Sequence, residues 1–130
     1  MLIVKTKIAP SQIAGIGLFA DEHIRKGTLV WKFDSGLDRL FSTEEISKLS
    51  DPAQKQFHNY SYLDKKYGKY LLCGDDGRFF NHSSAPNCDD SKDDMTTALR
   101  DIEKGEELTV DYTSFYGDPE NHKGIFQKSA

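Results

Sequence analysis

Three short segments concentrate the residues able to do chemistry. The first is Gly15-Ile16-Gly17, followed by Leu18-Phe19. Two glycines let a backbone pass close to a ligand and turn its amides and carbonyls toward it. With no third glycine and no predicted helix behind it, this is not a dinucleotide fingerprint. The second is Arg78-Phe79-Phe80-Asn81-His82-Ser83-Ser84-Ala85-Pro86-Asn87. Asn81 and His82 stand among apolar neighbours and need hydrogen-bond partners if buried, which the protein or a ligand can supply. The third is Gly105-Glu106-Glu107-Leu108-Thr109-Val110-Asp111-Tyr112, a strand that brings a phenol to its end. Taken singly, each also has an ordinary reading: a turn, a structural loop, a core tyrosine beside a capping Asp. Metal chemistry is not indicated. His82 and Cys88 lack further ligands at useful spacing, and His23, His58 and His122 are scattered singly.

The elements that must position these residues are short. Apolar runs are brief and turn signals frequent, which predicts a mostly β domain. Strands are expected at Leu2–Thr6, Gly17–Ala20, Leu29–Phe33, Tyr67–Leu72, Thr96–Arg100 and Glu107–Val110. Between them, Ser42-Thr43-Glu44-Glu45 reads as a capping box with Ser42 as N-cap, ahead of Ile46 and Leu49. Asp51-Pro52 reads as a second N-cap with proline opening the helix. A helical insert of two short helices is therefore expected at about 43–59. A faint echo links Ile24-Arg25-Lys26-Gly27 to Ile102-Glu103-Lys104-Gly105. Each predicts a buried Ile, a turn whose Gly takes positive φ, and a following strand.

The 130 residues suit one domain, 1–130, and the hydrophobic share of 37% predicts a thin core. Six Tyr, eight Phe and one Trp make much of that core aromatic. No apolar run reaches membrane-spanning length, and the N-terminus lacks a signal-peptide layout. A net charge of −4 argues against non-specific nucleic-acid binding, which needs a basic face. Cys73 and Cys88 are too few for a disulfide framework, and two reduced thiols are expected. Without a basic localisation run the cytoplasm is the expected compartment, the nucleus remaining open for a eukaryotic source.

Together, in this order and spacing, the glycine pair, Arg-Phe-x-Asn-His-Ser-x-x-Pro-Asn and Glu-Leu-x-x-Asp-Tyr resemble the SET domain of protein-lysine methyltransferases. The resemblance runs from about Ala9 to Phe115. It implies a β-clip fold of several small curved sheets, mostly β with the small helical insert, and a knot-like crossing at the active site. It implies S-adenosylmethionine as cofactor, with the backbone of Ala14, Gly15, Ile16 and Gly17 at its methionine part and Asn81 and His82 at its adenine and amino group. Tyr112 matches the catalytic tyrosine and adjoins the cofactor. Tyr62, Val110 and Phe115 are the expected wall of a substrate channel, with Tyr60, Tyr67, Tyr70 and Tyr116 as further candidates. The implied reaction is methyl transfer to the side-chain amine of a protein lysine. An aromatic channel beside a sulfonium would lower the amine's pKa, so no dedicated base is essential.

The chain also departs from that family. Ser84 stands where many relatives carry a zinc-binding Cys, and the flanking segment at about 113–130 contains no Cys. No zinc is therefore expected. Val110 stands where Phe or Tyr often tunes how many methyls are added, so the product state is open. The run Asp89-Asp90-Ser91-Lys92-Asp93-Asp94 reads as a solvated loop or as an attractor for a basic, histone-like tail. Two alternatives remain at this point: a catalytically idle SET-like module that binds a peptide or partner, and methylation of a small amine. Monomer and homodimer are equally compatible with composition.

Overall fold

A computed structural model of the chain describes residues 1–114. Ten short strands form four small sheets, with two helices inserted between the fourth and fifth strands. Strands β1 (Thr6–Pro10) and β2 (Ile16–Ala20) make an antiparallel hairpin, Pro10 opposite Ile16. Strands β3 (Leu29–Lys32), β9 (Met95–Ala98) and β8 (Cys88–Asp89) form a second sheet in the order β3-β9-β8. A register shift between Leu29 and Trp31 interrupts the alternation, so Val30 and Trp31 are both buried. The third sheet, in the order β4-β6-β5, contains β4 (Arg39–Phe41), β5 (Ser61–Leu63) and β6 (Tyr70–Leu72). The fourth pairs β7 (Asn81–His82) in parallel with β10 (Thr109–Val110), Val110 opposite His82.

The helical insert forms where its capping signals lie. In α1 (Thr43–Ser47), Ser42 accepts from Glu45 N–H at 3.1 Å and Glu45 accepts from Ser42 N–H at 3.0 Å, the reciprocal box expected. In α2 (Asp51–Tyr60) the cap is Ser50, one residue earlier than the expected Asp51, and Asp51 sits in the first turn. Either residue can cap, and Ser50 is the one whose Oγ reaches Ala53 N–H, at 3.3 Å. Helix α2 buries Phe57 edge-on against Phe41, 4.8 Å between ring centres, and runs directly into β5. That handover places Ser61 and Tyr62. The expected strand at Leu2–Thr6 is corrected to Thr6–Pro10; Leu2 makes only an isolated bridge to Trp31.

The main core gathers Leu18, Ile24, Val30, Ile102, Leu108 and Val110 around Tyr112, and a second, smaller cluster holds Trp31, Leu71 and Cys73. Each fully buried branched aliphatic side chain contributes about 1.5–3 kcal/mol relative to exposure. The twin Ile motifs meet face to face. Ile24 and Ile102 exchange both backbone bonds, at 2.8 and 2.7 Å, and Gly27 and Gly105 take φ of 84° and 95° in the turns that follow. Cys73 and Cys88 are free and buried, in different clusters, and burial pushes the Cys88 thiol up to about 12. Among the described residues no helix is long and apolar enough to cross a membrane.

One buried carboxylate ties the front of the molecule together. Asp38, 2% exposed, accepts from Asp34 N–H at 2.9 Å, Gly74 N–H at 3.1 Å and the Met1 ammonium at 2.8 Å. Asp38→Ala strands those donors and is expected to lower stability by about 2–3 kcal/mol, read as a lower urea midpoint at unchanged slope.

Candidate active site

The site forms where the glycine hairpin, β7 and β10 converge. The hairpin turn is closed by Ser11 N–H donating to Gly15 O at 2.9 Å, with Gly15 at φ 48°. Ser11 Oγ accepts from Ile13 N–H at 2.9 Å and donates to Glu107 at 2.7 Å. Across the gap, Asn81 is 2% exposed and its Nδ2 donates to Ala14 O at 3.1 Å and Glu107 Oε2 at 2.8 Å. Three segments distant in sequence are thus pinned by one carboxylate and one amide. Gly17 is part of that fit: a Cβ built there would lie 2.4 Å from Glu107 Oε2. Asn87, at the end of the second motif, holds the third. Its Nδ2 donates to Glu107 O at 2.8 Å and its Oδ1 accepts from Thr109 N–H at 2.9 Å.

His82 and Tyr112 are coupled through the parallel pairing of β7 and β10. Tyr112 N–H donates to His82 Nδ1 at 3.1 Å, so the ring proton is assigned to Nε2. The rings lie 5.4 Å apart at 51°. Asp111 accepts from Thr113 N–H at 3.0 Å and from Thr113 Oγ1 at 2.7 Å, which tightens the 3-10 turn Tyr112–Ser114. Tyr112 is 4% exposed, and its hydroxyl donates to Phe80 O. Burial, and then the negative charge of Glu107, hold that phenol well above its ordinary pKa. It is a neutral dipole at physiological pH, able to orient but not to act as a base.

Tyr112 lines a cleft of about 500 Å³ together with Tyr60, Tyr62, Phe80 and Val110. Of the expected channel residues, the structure brings Tyr62, Val110 and Tyr60 to this cavity. Tyr67 and Tyr70 lie elsewhere: Tyr67 packs on Phe33 and donates to Asp94 at 3.0 Å, and Tyr70 packs on Phe57 and His58. Phe115 and Tyr116 fall outside the described residues. Asp90, Ser61, Trp31 and Arg78 also line the cavity, and Glu107 anchors its neighbour; none was expected from sequence. Glu107 lay inside a recognised motif, and its carboxyl type was the only available signal.

The Ala14–Gly17 backbone and the Asn81–His82 strand meet along a seam closed by the Asn81 bond to Ala14 O. Among the described residues no group of three or more His, Cys, Asp or Glu side chains is arranged to hold a metal ion. Ser84 is exposed. The acidic run is less open than its composition implies, since Asp94 pairs with Lys66 and Asp90 turns toward Thr96.

A protein-family model described as SET domain matches residues 15–113. The human "Histone-lysine N-methyltransferase 2D" is 29% identical over 123 residues, covering 89% of this chain. The human "Histone-lysine N-methyltransferase 2B" is 32% identical over 109 residues, 78% of this chain. The chain spans only 2% and 4% of those two relatives. Among solved structures, an inhibitor-bound humanized mutant of the Chaetomium thermophilum Polycomb Repressive Complex 2 superposes with a TM-score of 0.63 at 22% identity, over 88% of this chain and 16% of that one. A candidate histone methyltransferase of Plasmodium falciparum gives 0.59 at 21%, over 85% and 95%. At these identities the likeness shows the fold, several small sheets with two helices.

Proposed function

The chain belongs to the SET domain family, and on that premise we propose that it transfers methyl groups from S-adenosylmethionine to the side-chain amine of a lysine in a protein substrate. One observation carries the reading: the buried phenol of Tyr112 faces an aromatic cavity while its backbone is tied to His82, beside the glycine hairpin. The relatives' names support a histone-like substrate, and a net charge of −4 suits a basic tail.

S-adenosylmethionine, when bound, supplies a methyl group on a positively charged sulfur. The residues suited to hold it are the Ala14–Gly17 backbone, with Asn81 and His82. Asn81 also fixes the hairpin by its bond to Ala14 O, so its loss would disturb the backbone proposed to hold the cofactor. Tyr60, Tyr62, Phe80 and Val110 strip water from the incoming lysine. An exposed lysine has a pKa of about 10.4 and is almost wholly charged at neutral pH. Desolvation disfavours that charge and moves the amine toward its nucleophilic form. The Tyr112 hydroxyl donates its hydrogen to Phe80 O, and its oxygen is of a type that can accept from an amine N–H. Most of the acceleration is then positioning.

Calorimetric titration with S-adenosylmethionine tests the cofactor half of this reading. The wild-type chain should bind, and Asn81→Ala should raise Kd at least ~10-fold, a loss of about 1.4 kcal/mol. Absence of binding by the folded wild-type chain would instead favour a peptide-binding module without catalysis.

A further inference from the structure

The aromatic cavity has a polar inner wall that the reading above leaves unused. Asp90 lines it, and so do Trp31 and Ser61. Trp31 is 5% and Ser61 3% exposed, and among the described residues neither Trp31 Nε1 nor Ser61 Oγ has a hydrogen-bond partner. A buried donor left unpaired costs about 1–3 kcal/mol, and both atoms are packed inside the wall rather than open to the cavity.

Asp90 also borders a second space. Asp90, Trp31 and Tyr62 form the partition between the aromatic cavity and a cleft of about 430 Å³ on the other side. That cleft is edged by the exposed Lys65, Lys66, Ser91, Lys92 and Asp93, and so opens to solvent. Asp90 Oδ1 accepts from Thr96 Oγ1, while Oδ2 has no protein partner among the described residues. A carboxylate set between an aromatic cavity and a cleft lined by charged side chains has the placement of a proton relay.

We propose that Asp90 accepts the proton of the substrate's ammonium inside the cavity and releases it to the cleft. This rests on the lysine-methyltransferase reading. One N–H bond of the ammonium breaks with its electron pair left on nitrogen, and the proton bonds to Asp90 Oδ2. The lone pair so freed is the one methyl transfer requires, and the carboxyl then loses its proton to water in the cleft. Asp90 thus becomes a catalytic residue and a reason for the site to prefer an amine over an uncharged nucleophile.

Burial pushes the Asp90 carboxyl up to about 7, against the lowering bond from Thr96; Asp89 and Asp64 raise it further. Its other charged and titratable surroundings are Lys92, Asp93 and Asp94 on its own loop and Lys65 and Lys66 beyond β5. From the cavity side they are Tyr60, Tyr62, Cys73, Arg78 and Tyr112. A base poised near the working pH is the efficient choice for proton transfer. The sign follows: Asp90 becomes competent as pH rises through about 7, and dispensable once the substrate itself arrives neutral.

The test compares wild type with Asp90→Asn, which keeps size and an oxygen for Thr96. Core histones and labelled S-adenosylmethionine are supplied from pH 6 to pH 10, and calorimetric cofactor binding reports that each variant is folded. Asp90→Asn should bind the cofactor as wild type does and lose about 100-fold in rate at pH 7, the loss shrinking toward pH 10. Equal rates with superimposable pH profiles would overturn the proposal while leaving the lysine-methyltransferase reading intact.

A second readout needs no turnover: carbon NMR of the Asp90 carboxyl, with and without n-butylamine as a bare lysine side chain. A midpoint near neutrality that n-butylamine lowers supports the relay. Thr96→Val should move that midpoint up, and Thr96→Ser should restore it. An ordinary carboxylate midpoint indifferent to the amine would overturn it, even if histones prove not to be substrates.

Discussion

Tyr112→Phe is expected to slow methyl transfer by about 100- to 1,000-fold while cofactor affinity stays within about 3-fold of wild type. The substitution removes one oxygen from a side chain that is otherwise core. The ring packs with Val110, Leu108 and Leu18 in the main cluster, so Phe keeps the fold. What disappears is the fixed dipole: an oxygen bonded to Phe80 O on the lining of the aromatic cavity. Preorganised donors and acceptors in dry sites are worth about 2.7–4 kcal/mol each, because no water must reorganise when the charge moves. In the proposed reading the cofactor is held by the hairpin backbone and β7, not by this hydroxyl. Single-turnover rates and calorimetry on the same preparation check both halves. Unchanged turnover would remove Tyr112 from the mechanism.

Gly17→Ala is expected to weaken S-adenosylmethionine binding by more than about 10-fold and to lower stability by about 1–3 kcal/mol. The cause is a single contact. The added Cβ would meet the Glu107 carboxylate at 2.4 Å, and that carboxylate is held by Ser11 Oγ at 2.7 Å and Asn81 Nδ2 at 2.8 Å. A free glutamate would swing away at little cost. This one can yield only by releasing both partners, which unpins the Ala14 side of the hairpin and leaves the buried Asn81 amide short of an acceptor. The double variant Gly17→Ala with Glu107→Ala discriminates the steric cause from the loss of bonds. Relief of the clash should recover part of the stability, and binding should remain weak because the pins are gone. Wild-type affinity in Gly17→Ala would show that the seam does not hold the cofactor.

The chemistry-bearing segments were legible because they are local. The glycine pair, Asn81-His82 and Asp111-Tyr112 are each contiguous, and the capping box at Ser42 specifies its helix from within four residues. The strands β4, β5, β7 and β8 were not legible. They are two or three residues long, too short for a period-2 pattern, and exist because tertiary partners supply their ladders. The strand at Leu2–Thr6 failed for the converse reason. Apolar alternation there feeds packing against Trp31, while Thr6–Pro10 finds an edge partner that tolerates Pro10. In the site, Glu107 was legible only as part of its motif and Asp90 only as one acid of a charged run. Only folding reveals that one is clamped between Ser11 and Asn81 and the other separates two cavities. The twin Ile-x-Lys-Gly motifs were legible as turns, but their mutual bridge was not, since nothing local pairs Ile24 with Ile102.

The most direct measurement of the central claim is peptide-resolved mass spectrometry of core histones incubated with the chain and isotopically labelled S-adenosylmethionine. The expected result is labelled methyl on the side-chain amine of one or a few lysines, present with wild type and lost with Tyr112→Phe. Cofactor binding by the wild-type chain with no methyl on any lysine, in histones or in a whole-cell extract, would contradict it.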